Sequence, residues 1–176
     1  MLPRLPDFVD PWRLADSRRR LRASIPLARF PRLAEILVSN DGEAVCTLGF
    51  YRDGQRRTRV DVEVRALLQL QCQRCMEPVP VEVDARATLA VVEGNDEAGY
   101  LPDEVDPLMV DAGRLRPLDL VEDEILLALP QVPMHPAGAC TVRIESMPPE
   151  EATPDKAGEA QAHPFASLSA LKLRDV

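Results

Sequence analysis

The sequence predicts an α+β protein: an antiparallel β-meander with one long hairpin, one face covered by helices, followed by a flexible acidic linker and a short C-terminal helix. Three observations predict it. From Val60 to Cys72 nearly every even position is apolar: Val60, Val62, Val64, Ala66, Leu68, Leu70 and Cys72. From Val79 to Val91 the odd positions take over, alternating with Glu82, Asp84, Arg86 and Thr88. A period of two marks strands with one buried face, so these segments pair as a hairpin with Cys72-Gln73-Arg74-Cys75 at its tip. The third observation is a helical stripe, Val121, Ile125, Ala128 and Leu129, suited to cover that face.

Taken in order, Asp10-Pro11 reads as an N-cap with proline at the first helical position, opening a helix to about Leu21. Pro26 and Pro31 interrupt Ser24 to Val38, which reads as an extended lead-in and then a helical turn or strand near Leu33 to Val38. Ala44, Cys46, Leu48 and Phe50 form a first strand. Joining it to the next through Asp53-Gly54 alone would put Phe50 beside Arg57. A three-residue loop, Arg52, Asp53 and Gly54, with Gly54 left-handed in a bulged turn, instead sets Leu48 opposite Thr58 and Cys46 opposite Val60. In the long hairpin the same logic puts Cys72 opposite Val79, Leu70 opposite Val81, Leu68 opposite Val83 and Val62 opposite Leu89.

Glu93 to Pro107 is acidic and broken by glycine and proline, a surface loop before a short strand at Leu108 to Val110. Asp119 is placed to cap the next helix, with Glu122 three residues on and Pro130 as its stop. A single domain is thus expected over 1–143. Residues 144–162, rich in Pro, Glu and Ala, read as the linker. Over 163–176, Phe165, Leu168 and Leu171 line one side of a short helix suited to docking in a groove.

Met1 to Asp10 has no signal-peptide pattern, and the strongest apolar run, Ile125 to Leu129, falls far short of the ~20 residues of a membrane span. A cytoplasmic location and no membrane partner are expected. The net charge of -8 is unevenly distributed. Residues 1–75 carry 14 Arg and 9 acids, a balance of +5, whereas 76–176 carry 7 basic residues and 20 acids, a balance of -13. The densest basic run comprises Arg13, Arg18, Arg19, Arg20, Arg22, Arg29 and Arg32. It reads either as a solvated helix face or as a contact for RNA or a partner protein, Arg18, Arg19, Arg20, Arg22, Arg29 and Arg32 being the candidates.

Four cysteines are too few for a secreted disulfide framework. Cys72 and Cys75 at a hairpin bend can instead present two thiolates to one zinc ion, which needs two further N or S ligands; His135 and Cys140, beyond the covering helix, are candidates. Cys46, on a strand, reads as a buried thiol. Thiol–disulfide exchange is the rival chemistry, but it normally places its first cysteine at a helix N-terminus, and here a strand follows Cys75. There is no Gly-rich phosphate loop and no nucleophile near a plausible base, and both histidines adjoin proline. An enzyme, and a small-molecule substrate with it, is not expected.

Several of these residues together resemble the bacterial YceD family: Leu70-Gln-Cys-Gln-Arg-Cys75, Val121-Glu-Asp-Glu-Ile-Leu-Leu-Ala-Leu-Pro130, Pro133-x-His135 and Pro164-Phe165-Ala-x-Leu168-x-x-Leu171-Lys172. Members are named large ribosomal RNA subunit accumulation proteins. The resemblance implies a role in the synthesis, processing or stability of 23S ribosomal RNA, and the family's paired cysteines and later His and Cys fall on Cys72, Cys75, His135 and Cys140. The expected function is a non-enzymatic ribosome-biogenesis factor that binds 23S rRNA, a pre-ribosomal particle, or a ribosomal or assembly protein. The alternatives are an acidic protein-interaction adaptor with no RNA contact and a thiol–disulfide oxidoreductase using Cys72 and Cys75.

Overall fold

A computed structural model, which describes residues 4–140, places five strands in one sheet: β1 (Arg20–Pro26), β2 (Glu43–Arg52), β3 (Thr58–Gln71), β4 (Pro78–Val92) and β5 (Asp106–Met109). They lie side by side in chain order. The first four are antiparallel, as a meander requires, and β5 joins β4 in parallel. The parallel edge follows from the crossover after β4, which carries the one-turn helix α3 (Asn95–Ala98) inside the acidic loop. The expected linker (144–162) and C-terminal motif with Phe165, Leu168 and Leu171 lie outside the described residues.

Alternation sorts the two faces as read from the sequence. Cys46, Leu48, Phe50, Val60, Val62 and Val64 all point into the core, and Thr47, Asp61, Glu63 and Arg65 point out. The core is closed by α4 (Pro117–Ala128), whose Leu120, Val121 and Ile125 are buried against β3 and β4.

Both predicted registers are corrected, each by an even number of residues. In the long hairpin, Leu70 faces Val79 and Leu68 faces Val81, because Cys72 leaves the ladder and the turn takes all of Cys72 to Glu77. Between β2 and β3 there is no bulge: Leu48 faces Val62 and Phe50 faces Val60. Arg56 rather than Gly54 is left-handed, at φ 64°. The Asp53 carboxylate accepts from Gln55 N and Arg57 N, both at 2.9 Å, and so organises a longer turn than the one expected. An even slip keeps every side chain on its own face, so the core is unaffected.

The first helix, α1 (Pro11–Asp16), is capped by Asp10 as expected, its carboxylate accepting from Arg13 N at 3.0 Å, but it stops short of Leu21. Arg18 adopts φ 47°, and its amide and that of Arg19 return to the carbonyls of Ala15 and Leu14. That double closure is the usual end of a helix, normally built on glycine, and it frees Arg20 onward to form β1. A 3-10 turn at Leu27–Arg29 and α2 (Pro31–Ala34) then replace the ambiguous segment.

The covering helix begins with Pro117 rather than after Asp119. Asp119 instead lies in its first turn, bonded to Arg116 at 3.1 Å. Glu122 caps a different helix. Its carboxylate accepts from Arg32 N at 2.8 Å and Leu33 N at 3.0 Å, satisfying free amides at the start of α2. The Arg32 guanidinium pairs with it at 3.1 Å, so this almost fully buried charge is matched.

Candidate functional site

The β3–β4 turn holds its shape through short backbone bonds. Cys72 N donates to Glu77 O at 2.9 Å and Met76 N to Cys72 O at 2.8 Å, with Met76 at φ 64°. Such a closure leaves both Cys72 and Cys75 turned inward and buried, in a small apolar cluster with Leu70 and Val79. The segment after α4 comes back to this tip. Gln73 N donates to Pro133 O at 2.9 Å, and Arg74 Nη2 to His135 O at 3.2 Å.

His135 and Cys140 thereby reach the paired cysteines, 60 residues or more along the chain. One ligand atom from each of Cys72, Cys75, His135 and Cys140 lies within 4.8 Å of the others. Cys72 Sγ stands 3.8 Å from Cys140 Sγ, Cys75 Sγ 3.4 Å from His135 Nδ1, and Cys140 Sγ 3.8 Å from the same nitrogen. Tetrahedral ligands with metal–sulfur bonds of about 2.3 Å and metal–nitrogen bonds of about 2.0–2.1 Å stand about 3.5–3.8 Å apart. The four residues are thus spaced to hold one metal ion.

Details around the cluster agree with that use. His135 Nε2 lies 3.0 Å from Pro78 O, and since a carbonyl only accepts, Nε2 carries the proton and Nδ1 presents its lone pair to the sulfurs. Burial raises the Cys72 thiol, but backbone amides of Cys75, His135 and Arg74 directed at the sulfur outweigh it and pull the pKa down to about 5. Arg74 Nε donates to Cys140 Sγ at 2.9 Å, which holds the guanidinium above its usual range. Arg74 is a contributor that the spacing of the cysteines did not single out. Cys46 lies elsewhere, buried in the main core, where desolvation pushes its thiol up to about 11.

The arginine run does not form one helical face. Arg18 and Arg19 are exposed in the turn after α1, Arg29 is half-buried in the 3-10 turn, and Arg32 is engaged by Glu122 and by Asp123 at 2.6 Å. Arg20 and Arg22 project from β1 onto the outer face of the sheet, where with Arg65, Val45, Thr47 and Glu63 they line an open depression of about 410 Å³. Among the described residues neither Arg20 nor Arg22 is ion-paired, whereas Arg65 pairs with Asp84 at 3.2 Å. Arg65 was visible in the sequence as a polar position of the alternation. That it shares a depression with Arg22 depends on β1 being a strand.

No helix among the described residues is long and apolar enough to cross a membrane. Residues 60–172 match the family described as Large ribosomal RNA subunit accumulation protein YceD. The chain is also similar to the Large ribosomal RNA subunit accumulation protein YceD of Haemophilus influenzae, with 34% identity over 176 residues, covering 96% of this chain and 97% of the relative. Comparison with solved structures gave no match.

Proposed function

This chain belongs to the YceD family of large ribosomal RNA subunit accumulation proteins, and on that premise we propose that it is a cytoplasmic, non-enzymatic factor supporting the synthesis, processing or stability of 23S ribosomal RNA by binding it. The observation that carries RNA contact is the uncovered outer face of the sheet, where Arg20 and Arg22 have no acidic partner among the described residues and border an open depression. Guanidinium groups on a sheet face match phosphates along a strand of RNA, and Arg18 and Arg19, exposed in the turn just before β1, add to the positive charge at that end. Binding of a 23S rRNA fragment should weaken steeply with salt. Replacing Arg20 and Arg22 together by alanine should lower the slope of log affinity against log salt by about 0.7–0.9 for each phosphate no longer neutralised. An unchanged slope would remove RNA from this face.

In the same reading Cys72, Cys75, His135 and Cys140 hold a structural zinc ion. Three thiolates and a dication leave one excess negative charge, which Arg74 at Cys140 neutralises. The ion ties the segment after α4 to the hairpin tip and keeps the binding face rigid.

A further inference from the structure

Two glutamates on α4 are largely buried, in different surroundings. Glu122 is satisfied by Arg32 and Leu33. Glu124, only 9% exposed, has no hydrogen bond or ion pair among the described residues. It lines an open groove of about 750 Å³ between α4 and the β4–β5 edge. The walls are apolar, with Leu89, Leu108, Leu120 and Leu127, and Leu127 is 80% exposed.

Asp106 and Asp123 share this groove with Glu124. Its basic side chain, Arg32, is already bound to Glu122 and Asp123. Glu124 and Asp106 therefore face no cation among the described residues. Burial, with Asp123 and Asp106 adding to it, pushes the Glu124 carboxyl above its ordinary range. An incoming cation would relieve the repulsion among these three carboxylates. Lysine and arginine carry that cation on an apolar stem, which also suits leucine walls.

We propose that the groove between α4 and β5 docks a basic amphipathic segment of a partner protein, its Lys or Arg side chains pairing with Glu124 and Asp106 and its apolar residues packing on Leu108, Leu120 and Leu127. Phosphates are repelled here, so this is a protein site, distinct in charge from the outer face with Arg20 and Arg22. It rests on the reading that the chain acts by binding, and not on RNA contact.

The test uses the full chain and a fluorescein-labelled amphipathic helical peptide of lysine and leucine, with a glutamate-for-lysine peptide as its control, read by fluorescence anisotropy. The lysine peptide should bind and the glutamate peptide should not. Glu124→Gln should weaken binding at least tenfold, and Leu127→Ser severalfold, while Glu82→Gln on the outer face, which removes the same charge, should leave it unchanged. Because Glu124→Gln relieves repulsion it should raise the melting temperature, whereas a merely structural role would lower it. Unchanged affinity in Glu124→Gln, equal binding of the glutamate peptide, or an effect of Glu124→Gln on a 23S fragment alone would overturn the proposal. If Arg20→Ala and Arg22→Ala abolish RNA binding and spare the peptide, or if RNA never binds and the peptide does, the groove stands by itself.

Discussion

Arg56 and Met76 both adopt φ 64°, each as the left-handed residue of a hairpin turn, yet the two turns are closed from different places. The turn between β2 and β3 is closed from within. Asp53 accepts from Gln55 N, Arg57 N and Arg57 Nε, the last at 2.8 Å, so five consecutive residues contain all the parts. The turn between β3 and β4 is closed from within only in part, by the amides of Arg74 and Cys75 directed at the Cys72 sulfur and by the bonds of Cys72 to Met76 and Glu77. Its outer contacts come from Pro133, His135 and Cys140, far along the chain. A left-handed non-glycine residue costs about 1–2 kcal/mol in either turn. In the first that cost is offset by local bonds alone, and in the second by local bonds together with groups that arrive only when the chain has folded.

If the second turn is closed by metal, the largest contrast lies in how the two respond to chelation. Removing the ion, or making Cys75→Ser, should cost more than about 4 kcal/mol and release the tip from the segment carrying His135. Denaturation with and without a chelator should show the loss in the wild type and no further loss in Cys75→Ser. A wild type indifferent to chelation would mean that packing alone closes the tip. Arg74→Ala should act more gently. The charge balance at Cys140 would be disturbed but all four ligands kept, so zinc affinity should fall about 10–100-fold, measured by competition with a chromophoric chelator.

Asp53→Ala should be smaller again, about 1–2 kcal/mol, and independent of chelator, since it removes bonds local to the first turn. Its effect should also depend on pH in one direction. Burial alone would raise the Asp53 carboxyl, but its bonds to Arg57 and Gln55 outweigh this and hold it below its ordinary 3.8. A carboxyl lowered on folding stabilises the folded form in full above its unfolded pKa and ceases to do so as pH falls through the folded value. The wild type and Asp53→Ala should therefore converge in stability on acidification below about pH 4. A gap that persists in acid would assign Asp53 a role other than accepting these bonds.

The same contrast explains which parts of the molecule could be read in advance. Which side chains are buried in β2, β3 and β4 was legible because alternation is local, fixed by the direction of successive Cβ atoms. The pairings were missed by two and four residues because an even slip leaves that alternation intact, and only the turn decides between registers. The end of α1 was missed because Arg18 takes a conformation that sequence reading reserves for glycine. Local pattern assigns Glu122 to its own helix's cap, since nothing near it in sequence points to α2, 90 residues away.

The family and the identities of the four candidate ligands were determined by the sequence alone, since residue type and order carry them. So was the division of the sheet into a charged face and an apolar one. Tertiary structure decided what meets what. It brought His135 and Cys140 to the hairpin tip, set Arg74 on Cys140, put Arg65 in the same depression as Arg22, and, among the described residues, left Glu124 without the partner that Glu122 has. Those meetings join residues far apart in the chain. They depend on the length and geometry of every turn between them, which no local pattern records.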